Sequence, residues 1–431
     1  VSQQFLSQLE MGRRNATLEQ RFALANVLGV PPEDLGLATR QPAGAGSVLS
    51  AAVATSRGRW RVQRHWLNSH RADLGRVAAE LYEPQSRVDR TSLIAAEGWI
   101  ADQPIDLDSL ELRLSEGRRP AVVDGTGSAT EALRPWRTDT ERFESYSAAI
   151  RHLDRPRLFD SRPSYRLLSG DPRGRVLEFG LAEYFDKVDL CEAVAHELAA
   201  ECMERGLRGS DVRGRLRFRS EVGDPFDARR RALIPAVTTL TIRLRRHPEP
   251  ASFLLHWRDP ARVVTASGMY DVIPAGEFQP SSIALWDRRN DFSLWRNIVR
   301  EYSEELLGQP EHDGSRAIDY ESWPLYQALG EARQQGKVTA HVLGLGLDAL
   351  SLAATILTVV VIDDDVFEDI FGATVRFNDE GEVVAIGDGR AADGVPFTRE
   401  AVDRLLDTEP VAAPGAACLW LAWQHRHTLI D

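Results

Sequence analysis

Residues 233–244 read LIPAVTTLTIRL, and three further segments follow in an order that decides the fold: SFLLHWRD at 252–259, SGMYDVIPAGEFQPS at 267–281 and LWRNIVREYSEELLG at 294–308. The first two are rich in β-branched and apolar residues and are expected to be strands. The last carries its apolar residues at helical spacing. Trp295, Ile298, Tyr302 and Leu306 form one stripe for the core, and the same projection turns Glu301, Glu304 and Glu305 to the other side. Three carboxylates on one face suit a hard divalent cation, which takes oxygen ligands. The plainer alternative is a solvated acidic face with Arg296 and Arg300 as its helical-spacing partners.

Strands, then Pro274-Ala275-Gly276, then Arg300-Glu301-Tyr302-Ser303-Glu304-Glu305 form an arrangement that resembles the Nudix fold, whose signature is G-x5-E-x7-R-E-U-x-E-E-x-G-U with U bulky and apolar. The likeness runs from about residue 160 to the C-terminus and is firmest between 230 and 308. It implies an α+β domain in which Gly276 and Arg300 contact a nucleotide-like ligand. Glu301, Glu304 and Glu305 would then bind Mg²⁺, which bridges a substrate diphosphate and orients water. The chain departs from the signature in three places. Ser282 stands where the first glutamate belongs, the interval from Gly276 to Arg300 is too long, and the glycine after the acidic pair is displaced to Gly308. These losses point to a domain that keeps its fold with altered or absent catalysis.

The chain opens VSQQFLSQLEMGRRNATLEQRFALANVLGV. Ser2 is a good N-cap, Phe5, Leu6 and Leu9 recur on one helical face, and Gly12 ends the segment. Thr17 caps a second helix, with Gln20 completing a capping box and Phe22, Ala25 and Leu28 lining its buried stripe. Gln3, Gln4, Ser7 and Gln8 occupy the polar face of the first helix, and glutamine can bond an adenine edge bidentately. This stretch resembles the Cro/repressor (XRE) helix-turn-helix from the recognition helix onward, over residues 1–37. The resemblance implies that Ser2, Gln3, Gln4, Ser7 and Gln8 face DNA, with Arg13 and Arg14 near phosphates. The first two helices of the motif have no counterpart in this numbering.

At 431 residues and 48.0 kDa the chain suggests two to three units. Its 43% hydrophobic and 27% charged residues are those of a globular protein, so most of it can bury a core. A net charge of −12 argues against a surface that coats nucleic acid throughout. Any DNA contact is local, and residues 1–90 carry twelve arginines against eight acids. Only Lys187 and Lys337 among the 52 basic residues are lysines, a pattern expected of a GC-rich coding sequence. Cys191, Cys202 and Cys418 show no C-x-x-C spacing, which favours neither a disulfide framework nor a zinc site. The apolar run Leu343 to Ile362, broken by Asp348, reads as buried helix and strand and not as a membrane span. No signal peptide is seen at the start, so the expected location is cytoplasmic.

Residues 38–47 (ATRQPAGAGS) read as a flexible linker. From 48 to 160 the pattern is mainly helical, with Trp60, Leu67, Leu74 and Leu81 seven apart, a spacing that serves either a dimerisation seam or plain core. Arg57, Arg59, Arg61 and Arg64 beside Trp60 form either a DNA-backbone contact or a solvated helix face. SYRLLSG and RVLEFGLAEYF are expected to be strands joined at Asp171-Pro172-Arg173-Gly174. The helix after them holds His196-Glu197, but Ala200 replaces the second histidine of H-E-x-x-H, so no zinc pair is expected. Asp363-Asp364-Asp365 marks a strand end, as acidic ligands or as a turn cap.

The expected protein is multidomain: an all-α helix-turn-helix N-terminus at 1–37, the 38–47 linker, a helical linking and dimerisation region at 48–160, and an α+β Nudix-like domain at 161–431 that senses a small, nucleotide-like ligand. Such a regulator would bind two-fold-related operator DNA as a homodimer, away from any membrane. The alternatives are a Mg²⁺-dependent Nudix hydrolase of a nucleoside-diphosphate derivative and an interaction scaffold with neither activity.

Overall fold

Apolar residues at helical spacing from Val53 to Ala79 form two helices in the computed structural model, which describes residues 49–115, 120–156, 159–206, 212–245, 249–258, 268–312, 314–372, 381–384 and 394–430. The helix-turn-helix segment expected at 1–37 and the linker at 38–47 lie outside the described residues. Ser50 caps α1 (Ala51–Ser69), its hydroxyl accepting the Val53 N–H at 3.2 Å. After His70 comes α2 (Arg71–Ala79). Trp60, Leu67 and Leu74 are buried, and Leu81 packs half-buried against the same cluster. The seven-residue stripe is therefore intramolecular core and not a free pairing seam.

The region expected to be mainly helical supplies three strands before its last helix: β1 (Leu93–Ile94), β2 (Ile100–Asp106) and β3 (Glu111–Leu114), then α3 (Tyr146–Leu153), capped by Ser145. These strands are short and set between turn residues, which hid them from a periodicity reading. Hairpin β4 (Pro163–Asp171) and β5 (Val176–Glu183) turns where expected, the Gly174 N–H donating to Asp171 Oδ1 at 2.6 Å. Next is α4 (Tyr184–Arg205), opened by a Glu183/Asp186 capping box. The segments of 233–308 become β6 (Pro235–Leu244), β7 (Ser252–Phe253), β8 (Leu255–Arg258), β9 (Tyr270–Val272), β10 (Ala275–Glu277) and α5 (Leu294–Glu301). Beyond lie α6 (Pro324–Gln334), β11 (Val338–Asp348), β12 (Ala354–Asp363), α7 (Asp364–Phe371), β13 (Gly381–Val384), β14 (Val395–Pro396), α8 (Arg399–Thr408) and α9 (Ala413–Gln424).

The fold is mixed helix and sheet. The main sheet runs β1-β11-β12-β6-β7-β14, with β2 also on β11 and β10 also on β6, and its β12–β6 pair is parallel. The apolar run Leu343 to Ile362, expected as helix and strand, is strand on both sides of a turn, because a centre strand covered on both faces reads as an unbroken apolar run. Asp348 interrupts it as the turn cap, accepting from the Ser351 hydroxyl at 2.6 Å. Inside the sheet Thr238 bonds Thr355 and Thr239 bonds Thr358, each at 2.8 Å between hydroxyls, so the buried polar atoms satisfy one another. Because β1 and β2 pair with β11 and β3 pairs with β5, residues 93–114 share their sheets with the later chain. One hydrophobic cluster extends from Trp60 to Leu429.

Of the arginines around Trp60, Arg59 and Arg61 are exposed, yet each of the four has a partner within the fold. Arg57 donates to the Trp136 carbonyl at 3.0 Å, Arg61 to that of Leu153 at 3.2 Å, and Arg59 pairs with Glu204. Arg64 is 2% exposed and pairs with Glu192 and Asp154. Three of the four thus fasten α1 to the 136–154 segment. His196 is a satisfied core histidine, with Tyr146 Oη 2.6 Å from Nδ1 and Gln63 Oε1 3.1 Å from Nε2. Asp364 pairs with Arg243 and Asp365 with Lys337, so the acidic run opens α7 and is held by cations. Among the described residues no helix is long and apolar enough to cross a membrane.

Candidate functional site

Segments from across the chain wall a cleft of about 660 Å³. Sheet residues Ala236, Thr238 and Thr355 line it from β6 and β12, and β10 contributes Ala275, Gly276 and Glu277. Arg300, Glu301 and Glu304 come from α5 and the turn after it. From the other side, α2 and the loop behind it bring Arg71, Arg76, Arg87 and Arg90, and α4 brings Lys187, Cys191 and Glu192. The sequence-predicted residues Gly276, Arg300, Glu301 and Glu304 are therefore brought together, although 24 positions separate the first two.

Gly276 and Glu301 belong to one packing unit. A β-carbon on Gly276 would lie 2.1 Å from Glu301 Cδ, so the carboxylate occupies the space that only glycine leaves open. Arg300 is buried, donates to the Gln279 carbonyl at 2.7 Å and lies 3.9 Å from Asp291. It thereby ties the helix to the segment leaving β10. Asp291 in turn accepts the Ser281 N–H at 2.7 Å and the Tyr320 hydroxyl at 2.8 Å. Asp287 and Asp291, both fully buried, were not foreseen; their positions before a Ser293 N-cap carried no periodic signal.

Glu305 departs from its expected face. The chain widens into a π-helical turn at Tyr302–Leu306, with the Leu307 N–H donating to the Tyr302 carbonyl. At 3.6 residues per turn Glu305 falls almost in line with buried Ile298, seven residues earlier, at the edge of the packed stripe and not opposite it. Glu305 turns inward, 4% exposed, accepts the Ala275 N–H at 2.9 Å and lies 3.9 Å from His256. It holds β10 in place and does not line the cleft. Ser282, at the position of the missing first glutamate, donates to Asp287. Among the described residues no group of three or more His, Cys, Asp or Glu side chains is arranged to hold a metal ion. With Glu305 turned away from the cleft, the expected Glu301, Glu304 and Glu305 set does not fit Mg²⁺ as a three-carboxylate site.

The opposite wall is built from buried charge. Glu192, 1% exposed, receives Arg64 at 2.8 Å and Arg71 at 3.1 Å. Burial alone would raise its carboxyl, but the Arg71 and Arg64 guanidiniums hold it below its usual value. Lys187 pairs with Glu277 across the cleft floor, and Cys191 sits one turn further along α4, its thiol pushed up to about 11 by burial. A neutral thiol is a poor nucleophile. Sequence reading missed this wall, since only tertiary packing reveals that isolated charges on two helices face a common cavity. Ser2, Gln3, Gln4, Ser7, Gln8, Arg13 and Arg14, expected to face DNA, lie outside the described residues.

No family model matches this chain, and no curated protein matches it either.

Proposed function

We propose that this protein is a ligand-responsive DNA-binding regulator, in which a Nudix-like α+β body binds a small, nucleotide-like molecule in the 660 Å³ cleft and residues 1–37 read an operator. The observation that carries the ligand half is that Gly276, Arg300, Glu301 and Glu304 share one wall of a cleft whose other wall is lined by Arg71 and Lys187. A concave site with a few convergent polar groups is what small-molecule recognition needs. Withdrawal of Glu305 into the fold and the serine at position 282 favour binding over turnover, because catalysis demands a complete, rigidly held set of ligands. The DNA half rests on the sequence of residues 1–37. A ligand that binds differently to two arrangements of the protein shifts DNA affinity by the same factor that DNA shifts ligand affinity. Reading a two-fold-related operator takes two copies, and since Trp60, Leu67 and Leu74 are committed to the core, pairing would use another face.

The test is a titration with nucleoside diphosphates beside a Mg²⁺-dependent phosphate-release assay, for the wild type and Glu304→Gln. Saturable binding with negligible release supports a sensor. Robust release abolished by Glu304→Gln would promote the hydrolase reading instead, and absence of both would leave the cleft without its assigned role.

A further inference from the structure

Lys187 is one of two lysines in a chain with 52 basic residues; the other, Lys337, pairs with Asp365 at the surface. Lys187 is 4% exposed and lines the cleft. An ammonium has three donors, and among the described residues this one makes a single hydrogen bond, to Glu277 Oε1. The other carboxylate oxygen, Glu277 Oε2, is buried without a hydrogen-bond partner among the described residues, and Glu277 lines the same cleft. The pair thus keeps two donors and one acceptor unused in a place where unmet polar groups are costly. An arginine at 187 would close this arrangement, because its planar fork takes both oxygens of a carboxylate at once. Lysine, a point donor, leaves the hydrogen-bonding capacity open. Tyr184, on the same face of α4 one turn earlier, also lines the cleft and offers aromatic surface.

We infer that Lys187 and Glu277 are the specificity-determining pair of the cleft and take the hydrogen-bonding edge of a nucleobase, whose ring acceptor receives Lys187 Nζ–H while the adjacent ring or exocyclic N–H donates to Glu277 Oε2. This rests on the ligand-binding reading of the cleft and adds which end of the ligand is read, and by what. Sugar and phosphate groups then lie toward the other cleft residues.

The experiment measures affinity of the full chain for a panel of nucleoside monophosphates and for ribose 5-phosphate, which lacks a base, with wild type, Lys187→Arg and Lys187→Met. Lys187→Arg keeps the charge and the ion pair, so a merely structural lysine would tolerate it. The expected result is a Lys187→Arg protein with wild-type melting temperature whose affinity for the preferred nucleotide falls roughly tenfold or more, with ribose 5-phosphate binding unchanged; Lys187→Met, if folded, shows the same split. Nucleotide binding by Lys187→Arg equal to wild type overturns the inference and leaves the pair a hydrated structural contact only, with the cleft reading intact. Equal losses for nucleotide and ribose 5-phosphate also overturn it, since the lysine would then read charge and not a base. If wild type binds no member of the panel saturably, the cleft reading fails and this inference with it.

Discussion

Gly276→Ala tests the unit on which the candidate site is built. The new β-carbon would stand 2.1 Å from Glu301 Cδ and Oε1, far inside any contact real atoms make. The obstructing atoms are the end of a side chain, so Glu301 can swing away at a cost of about 0.5–1.5 kcal/mol for an unfavourable rotamer. Gly276 does not have a positive φ and sits in β10 opposite Val237, so alanine itself should gain about 0.5–1 kcal/mol from reduced chain entropy. The single mutant is therefore expected between about 0.5 kcal/mol more stable and about 1 kcal/mol less stable. In a Glu301→Ala background the obstruction is gone and the same change should stabilise by about 0.5–1 kcal/mol. Urea unfolding of the four proteins gives the coupling, expected at roughly 0.5–1.5 kcal/mol, the cost of moving Glu301. Additivity within about 0.5 kcal/mol would refute the contact. Glu301→Ala and Gly276→Ala should both weaken ligand binding, since each removes or displaces the same carboxylate from the cleft wall.

Leu74→Asp is expected to unfold the protein instead of dissociating it, at a cost well above 3 kcal/mol, because a fully buried position would receive a charge; sedimentation of a folded monomer would contradict this. Glu192→Gln leaves Arg64 and Arg71 facing each other across a neutral amide and should cost about 3–5 kcal/mol, read by chemical denaturation. Burial, with Arg64 nearby, depresses His196 to about 3, so the folded state keeps it neutral where the unfolded chain binds a proton. Stability from this group is therefore complete above about pH 6.5 and is lost as pH falls toward 3, at up to roughly 1.4 kcal/mol per pH unit. A His196→Gln protein whose stability keeps the wild-type slope in that window would contradict the assignment.

The strands of 233–280, the 165–183 hairpin and the packed stripe Trp295, Ile298, Tyr302 and Leu306 were legible because their apolar periods are regular and their turns carry Pro, Gly and Asp. That Gly276, Arg300, Glu301 and Glu304 come together at one cleft was legible from the order of the segments that carry them. Glu305 was misplaced because it stands seven residues after Ile298, at the edge of the packed stripe, where a projection alone does not decide which way a carboxylate turns. The stripe from Trp60 to Leu74 was ambiguous for a deeper reason. Heptad spacing states that a face is buried and says nothing about which chain buries it. Arg64, Arg71, Lys187 and Glu192 could not be read as a site at all, since a charge on an amphipathic helix is ordinarily solvated and only the packing of α1 and α2 onto α4 encloses these.

Hydrogen exchange of the full chain, with and without a saturating nucleoside diphosphate, tests the central claim most directly. The account predicts slowed exchange at 275–277, along 300–306 and in the first turns of α4 around Lys187, because those backbone segments carry the residues that wall the cleft. Ligand-dependent protection confined to other segments, or none at all under saturating conditions, would contradict it.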